Sequence, residues 1–206
     1  MKLRHRKLIW AGTGAMLVFA LAGCSPEPQG VQPPVPPPPG QIPTNNNAVG
    51  SGTPEQTSAT TATAVISPTK GNKVQGTLHF VQEEDGLHIT GEITGLTPGK
   101  HGFHAHEKGD CSAPDASSAG GHFNPEGMPH GAEDAAKRHA GDFGNIIADQ
   151  TGSAHIDKID KIAKLSGKDS IIGRAIIIHK GADDLKSQPS GDAGARVACG
   201  VVSVEK

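Results

Sequence analysis

The 206-residue sequence has few cysteines, no surplus of positive charge, no evident internal repeat and no long uninterrupted apolar run. Each shortage excludes something. The one apolar stretch, in residues 1–23, is broken by Gly12, Thr13 and Gly14 and falls short of the ~20 residues that a membrane span needs. The formal charge is −2, and losing Lys2, Arg4, Arg6 and Lys7 by processing takes it from −2 to −6. A mildly acidic chain argues against a nucleic-acid partner. Without a repeat, the folded part is not an array. Three cysteines are too few for a disulfide framework to replace a core.

What is present begins with MKLRHRKLIWAGTGAMLVFALAG, a basic start followed by an apolar run, the layout of a secretory signal peptide over 1–23. It ends in LAGC, which resembles the bacterial lipobox. That likeness implies cleavage before Cys24 and acylation of the new N-terminus, with two or three chains where one gives only marginal membrane binding. Cleavage nearby with Cys24 left as a thiol is the alternative. The expected location is extracytoplasmic, anchored to a bacterial membrane through lipid on Cys24. Cys111 and Cys199 then remain, and in an exported chain they most simply pair; two free thiols are the alternative. A bond between them would close roughly ninety residues, worth at most ~4–5 kcal/mol by chain entropy.

Residues 24–61 are dominated by proline, glycine and small polar residues, with almost nothing to bury, and read as a linker. Its PPVPPPP core should be extended polyproline II. From 62 to 206 the composition is that of one globular domain. In GLHITGEITG, Leu87, Ile89 and Ile93 alternate with His88, Thr90 and Glu92, as in a half-buried strand. TATAVISP, VQGTLHFVQ, GFHAHEK, IIGRAIIIH and RVACGVVSV are further β-branched runs separated by turn residues. Only AEDAAKR, 132–138, suggests a helical turn. An all-β antiparallel sandwich or barrel follows. Segments 108–139 and 180–195 fit no strand, and loops of that length in a compact domain are functional or disordered.

Eleven histidines are the chemical signal. His5 leaves with the signal peptide, while His79, His88, His101 and His155 stand singly and read as surface or structural residues. His104 and His106, two apart, would point to one face of a strand. With His179 they make an all-nitrogen set suited to copper. His130, His139 and Asp142 make a nitrogen and oxygen set suited to zinc, one ligand short of four, with Gly141 allowing a tight turn after His139. His122 lies between the groups and is able to complete both.

GFHAHEKGDC, SAGGHFNP, RHAGDFGN, HKGADD and GARVACGV, in this order, resemble the motifs of the copper–zinc superoxide dismutase family, and with the lipobox its bacterial lipoprotein form. The resemblance covers essentially all of 62–206. It implies a Greek-key β-barrel, or flattened sandwich of immunoglobulin-like architecture, with two long functional loops. It implies one copper ion on His104, His106, His122 and His179, and one zinc ion on His122, His130, His139 and Asp142, with the His122 imidazolate between them. Asp183 corresponds to an aspartate that hydrogen-bonds ligands of both metals, here His104 and His130. Cys111 and Cys199 correspond to the family disulfide, which pins the first long loop near Arg196.

The implied reaction is disproportionation of superoxide to dioxygen and hydrogen peroxide, with His122 delivering a proton and Arg196 binding the anion. Lys180 and Lys186 are candidates for steering it, and Asp192 stands where the family has asparagine. A copper- or zinc-binding surface lipoprotein without catalysis, and a metal-free scaffold on the same fold, are the competing readings. Oligomeric state is left open.

Overall fold

The structure, a computed structural model, describes residues 60–205. The expected signal peptide, Cys24 and nearly all of the linker lie outside the described residues. Nine strands follow: β1 (Thr61–Pro68), β2 (Gln75–Gln82), β3 (Leu87–Thr94), β4 (Gly99–His106), β5 (Asp142–Ala148), β6 (Ala154–Asp160), β7 (Ala175–His179), β8 (Arg196–Val201) and β9 (Ser203–Val204). The spatial order is β5-β4-β7-β8-β1-β2-β3-β6, with β9 beside β1 and every pairing antiparallel. β1 bends between two layers, pairing with β2 over Thr61–Ile66 and with β8 at Ser67 and Pro68. The result is a nearly closed barrel, all-β as expected, whose seam lies between β5 and β6. Lys158 of β6 reaches over to the Phe143 carbonyl of β5 and to Glu133. Among the described residues no helix is long and apolar enough to cross a membrane.

Strand alternation supplies both the core and the site. On β4, Phe103 and Ala105 point into the core while His104 and His106 point outward. On β7, Ile176 and Ile178 face the core; Ala175 and Ile177 face a second cluster with Ala116, Ala119 and Cys199 under the first long loop. β7 is therefore buried on both sides. Phe103 and Phe143, ring centroids 5.3 Å apart, fill the barrel beneath the histidines.

Three segments differ from the sequence reading. β5 and β6 carry no clean strand pattern, since Asp142, Gly144 and Asn145 interrupt the first and Lys158 and Asp160 take inward positions in the second. Residues 132–138 form no helix, only a turn in which the Ala135 N–H donates to the Ala132 carbonyl. The short helical element is a 3₁₀ turn, Ser117–Ala119, within the first loop. Buried Arg138 takes the Glu133 carbonyl that a helix there would pair with the Lys137 N–H. Its guanidinium donates to the Glu133 and His139 carbonyls and to Asp160 Oδ2 at 2.6 Å.

Candidate metal centre

The site stands on the outer wall of β5-β4-β7-β8, beneath both long loops. β4 places His104 opposite Asp142 of β5 and Ile177 of β7. His122 forms an isolated bridge with His106, and His179 pairs with Arg196. Register shifts fall at Gly102/His104 and Ile178/His179, where bulges re-aim side chains at the site. Gly141 does more than turn the chain: a Cβ there would lie 2.2 Å from the Ala105 carbonyl, so only glycine lets β5 start beside β4.

Four buried ring nitrogens, His104 Nδ1, His106 Nε2, His122 Nε2 and His179 Nε2, have no hydrogen-bond partner. The other nitrogen of each ring is occupied. His104 Nε2 donates to Asp183 Oδ2 at 2.8 Å, His106 Nδ1 to the Gly120 carbonyl at 2.9 Å and His179 Nδ1 to the Gly194 carbonyl at 3.0 Å. Carbonyl and carboxylate oxygens only accept, so these three rings carry their proton there and offer a bare lone pair at the orphaned nitrogen. Burial holds His104 down to about 4 and His179 to about 3, and pushes His106 well below the usual imidazole range. All three are neutral near pH 7. Leaving four buried acceptors unmade costs about 1–3 kcal/mol each, which a soft or borderline cation would relieve.

The second set converges on one oxygen. Asp142 Oδ1 lies 2.8 Å from His122 Nδ1, 3.0 Å from His130 Nδ1 and 3.1 Å from His139 Nδ1. His130 Nε2 donates to Asp183 Oδ1 at 3.0 Å and its Nδ1 faces Asp142 Oδ1, so the ring is flanked by two carboxylates and a cation bound here would take the place of the Nδ1 proton. Burial opposes charge on His130, yet Asp142 and Asp183 outweigh it and raise its pKa to about 9. Burial likewise opposes ionisation of Asp142, but the three imidazoles hold its carboxyl far below the usual range. A tetrahedral cation with bonds of ~2.0–2.1 Å sets ligand-to-ligand edges near 3.3 Å, so the three edges from Asp142 Oδ1 need to open by only a few tenths of an ångström to take one. The remaining oxygen, Oδ2, is held by the Gly131 and His139 N–H groups at 3.1 and 3.0 Å.

Within each set the ligand atoms lie within 4.8 Å of one another, and His122 offers one nitrogen to each. Asp183 ties the sets together from behind, and the imidazoles of His104 and His130 outweigh its burial, keeping it ionised. Two supporting groups carried no mark in the sequence. Asn145 clasps the Asp183 backbone, accepting from its N–H at 2.8 Å and donating to its carbonyl at 2.9 Å. His101 is buried, with its ring nitrogens 2.9 Å from the His179 carbonyl and 2.8 Å from that of Thr97.

A cleft of about 440 Å³ opens onto the first set and is lined by His106, His122, His179 and Arg196, with Pro189 and Ser190 from the second loop. The Arg196 guanidinium donates to the Ala116 and Gly120 carbonyls at 2.7 and 2.6 Å. Gly120 thus holds the arginine and His106 at one oxygen. A disulfide joins Cys111 to Cys199 and fastens this loop to β8. Lys180, Lys186 and Asp192 do not line the cleft; among the described residues Arg196 is the one lysine or arginine that does.

Two adjacent cation-competent sets sharing one ring, on an antiparallel barrel, define the class: a binuclear metalloprotein. Residues 74–202 match the family model described as copper/zinc superoxide dismutase. The chain is 46% identical over 157 residues to the extracellular superoxide dismutase [Cu-Zn] of Brugia pahangi, covering 72% of this chain and 78% of the relative. It is 45% identical over 151 residues to superoxide dismutase [Cu-Zn] 2 of Mesembryanthemum crystallinum, covering 70% and 95%. A crystal structure of the clock protein EA4 superposes with a TM-score of 0.67 at 44% identity, covering 72% of this chain and 97% of that one. The chain belongs to the copper/zinc superoxide dismutase family. It is an oxidoreductase, and its cofactors are copper and zinc.

Proposed function

We propose that the chain disproportionates superoxide on the outer face of a bacterial membrane. In this reading copper sits on His104, His106, His122 and His179, and zinc on His122, His130, His139 and Asp142. The observation that carries it is His122, whose two nitrogens belong one to each set while every other ring serves a single set. Copper, when bound, exchanges one electron with each of two superoxide ions, and zinc stays redox-inert.

The chain's own groups do the rest. The Arg196 guanidinium, held by two carbonyls at the cleft, binds the incoming anion. A local positive group in a cleft draws an anion even into an acidic protein. His122 Nε2, which would carry a proton whenever it does not hold copper, would pass that proton to the forming peroxide, a second proton coming from water. Two superoxide ions and two protons leave as dioxygen and hydrogen peroxide. Asp183 and Gly120 keep the tautomers of His104 and His106 set throughout. An arginine lining an open cleft favours catalysis over mere metal storage.

The folded domain of 62–206 hangs from a lipidated Cys24 by the proline-rich linker of 24–61, after removal of 1–23. LAGC and PPVPPPP support this part of the reading. Copper and zinc analysis with a dismutation assay on the same sample tests the activity. One copper and one zinc per chain with fast turnover is expected, and a metal-loaded but inert chain would refute catalysis. Detergent partitioning that is lost in Cys24→Ser tests the anchor.

A further inference from the structure

Three members of the second set are seated by strand or turn structure. His122 bridges to β4, Asp142 opens β5, and His139 is locked to Asp142 through its own N–H. His130 stands in the first loop, outside any strand. Its backbone is held instead by a side chain from the other loop. The His130 N–H donates to Gln188 Oε1 at 2.8 Å, and Gln188 Nε2 donates to the His130 carbonyl at 2.9 Å. Gln188 thus supplies to one residue the pair of bonds that a neighbouring strand would make. The same Nε2 also donates to the Lys186 carbonyl at 3.1 Å, which fixes the amide within its own loop.

The turn around Gln188 is shaped to reach this position. The Gly191 N–H donates to the Ser187 carbonyl at 2.7 Å, and the Asp184 N–H to the Gly191 carbonyl at 2.8 Å. Gly191 has φ +70°, and a Cβ there would lie 1.8 Å from Asp183 Oδ1 and 2.6 Å from His130 Nε2. Only glycine lets the turn close on that ring. Pro189 and Ser190, next along the chain, line the cleft to the first set. One turn therefore grips His130 on one side and walls the cleft on the other.

We propose that Gln188 is a positioning residue for the second metal set: by clamping the His130 backbone it holds that ring toward Asp142 and joins the cleft wall to the occupancy of that set. This rests on the assignment of His130 as a ligand made under Proposed function. The clamp touches no substrate. Its loss leaves His130 with no bond to its own backbone, held by the contacts of its ring with Asp183 and Asp142 and, one residue on, by the Gly131 N–H on Asp142 Oδ2.

The test uses the full chain with Gln188→Met, which keeps volume but neither bond, and Gln188→Glu, which keeps the acceptor and sets an oxygen against the His130 carbonyl. Zinc affinity is read by chelator competition, and the visible bands of cobalt(II) in the second set report its geometry. Loss of an outer partner of a metal ligand costs about 10–100-fold in affinity, and a zinc loss of that size is expected in both variants with weakened cobalt bands. Copper affinity should stay within about threefold of the parent's, since no first-set ring is touched. Should Gln188→Met not fold, Gln188→Glu alone decides by the same readings. Zinc affinity within about twofold of the parent's, with unshifted cobalt bands, overturns the clamp. A His130→Ala chain that keeps parental zinc affinity overturns the ligand assignment itself, and the clamp's role with it.

Discussion

Reduction of the Cys111–Cys199 bond should cost this protein much of its stability. The two residues are separated by 88 positions. Closing a loop of that length removes about 4–5 kcal/mol of chain entropy from the unfolded state, the most the bond can be worth by that route. For a domain of this size each kcal/mol moves Tm by roughly 3–4 °C, so a fall of up to roughly 12–20 °C is expected. A local effect accompanies the global one. Ala116 and Ala119 pack with Cys199 against Ala175 and Ile177, and Arg196 is bonded to the carbonyls of Ala116 and Gly120. A loosened loop releases the guanidinium and, through Gly120, the tautomer of His106. Calorimetry of the metal-free chain with and without reductant measures the first effect; the salt dependence of turnover measures the second. A Tm that moves by less than about 2 °C would show that the loop is held by its packing alone and refute the reasoning.

Arg196→Ala should slow superoxide turnover by about tenfold or more, the worth of a charge-assisted contact, and flatten its dependence on ionic strength. Arg196→Lys should fall between, keeping the charge but losing the fork, with metal content unchanged in both. Asp160→Ala should destabilise the fold by about 3–5 kcal/mol in chemical denaturation, because it strands buried Arg138 without its anion. The metal-free protein should be most stable near pH 6.5. As pH falls from there toward about 4, the unfolded chain protonates before His104 and His179 do, and stability drops. As pH rises toward about 9, the folded chain still holds the proton of His130 that the unfolded chain has lost, and stability drops again. Denaturation midpoints across that range would expose a flat profile if the idea is wrong.

Residue type and spacing made much of this legible. The alternation in GLHITGEITG marks β3, and β1, β2, β4, β7 and β8 lie in runs rich in β-branched residues. The two segments without strand pattern are the loops that cover the site. β5 and β6 escaped because polar residues with other tasks break their pattern: Asp142, opposite His104 on the outer face, belongs to the second set, and inward Asp160 pairs with Arg138. AEDAAKR has the composition of a helix, but Arg138 is drawn into the protein by Asp160 and two carbonyls, a tertiary contact that outweighs local propensity. Histidines announce themselves by chemistry. Asn145, His101 and Gln188 do not, since an amide or a lone imidazole becomes informative only when its partner, distant in sequence, is known. Lys180 and Lys186 show the converse, cations close in sequence to His179 that fall outside the cleft.

Anomalous diffraction from crystals of the metal-loaded chain, recorded at the copper and zinc edges, bears most directly on the shared ring. One copper peak and one zinc peak per chain are expected, each at bonding distance from a different nitrogen of His122. A single peak, or two peaks of which either lies beyond reach of that ring, would contradict the sharing.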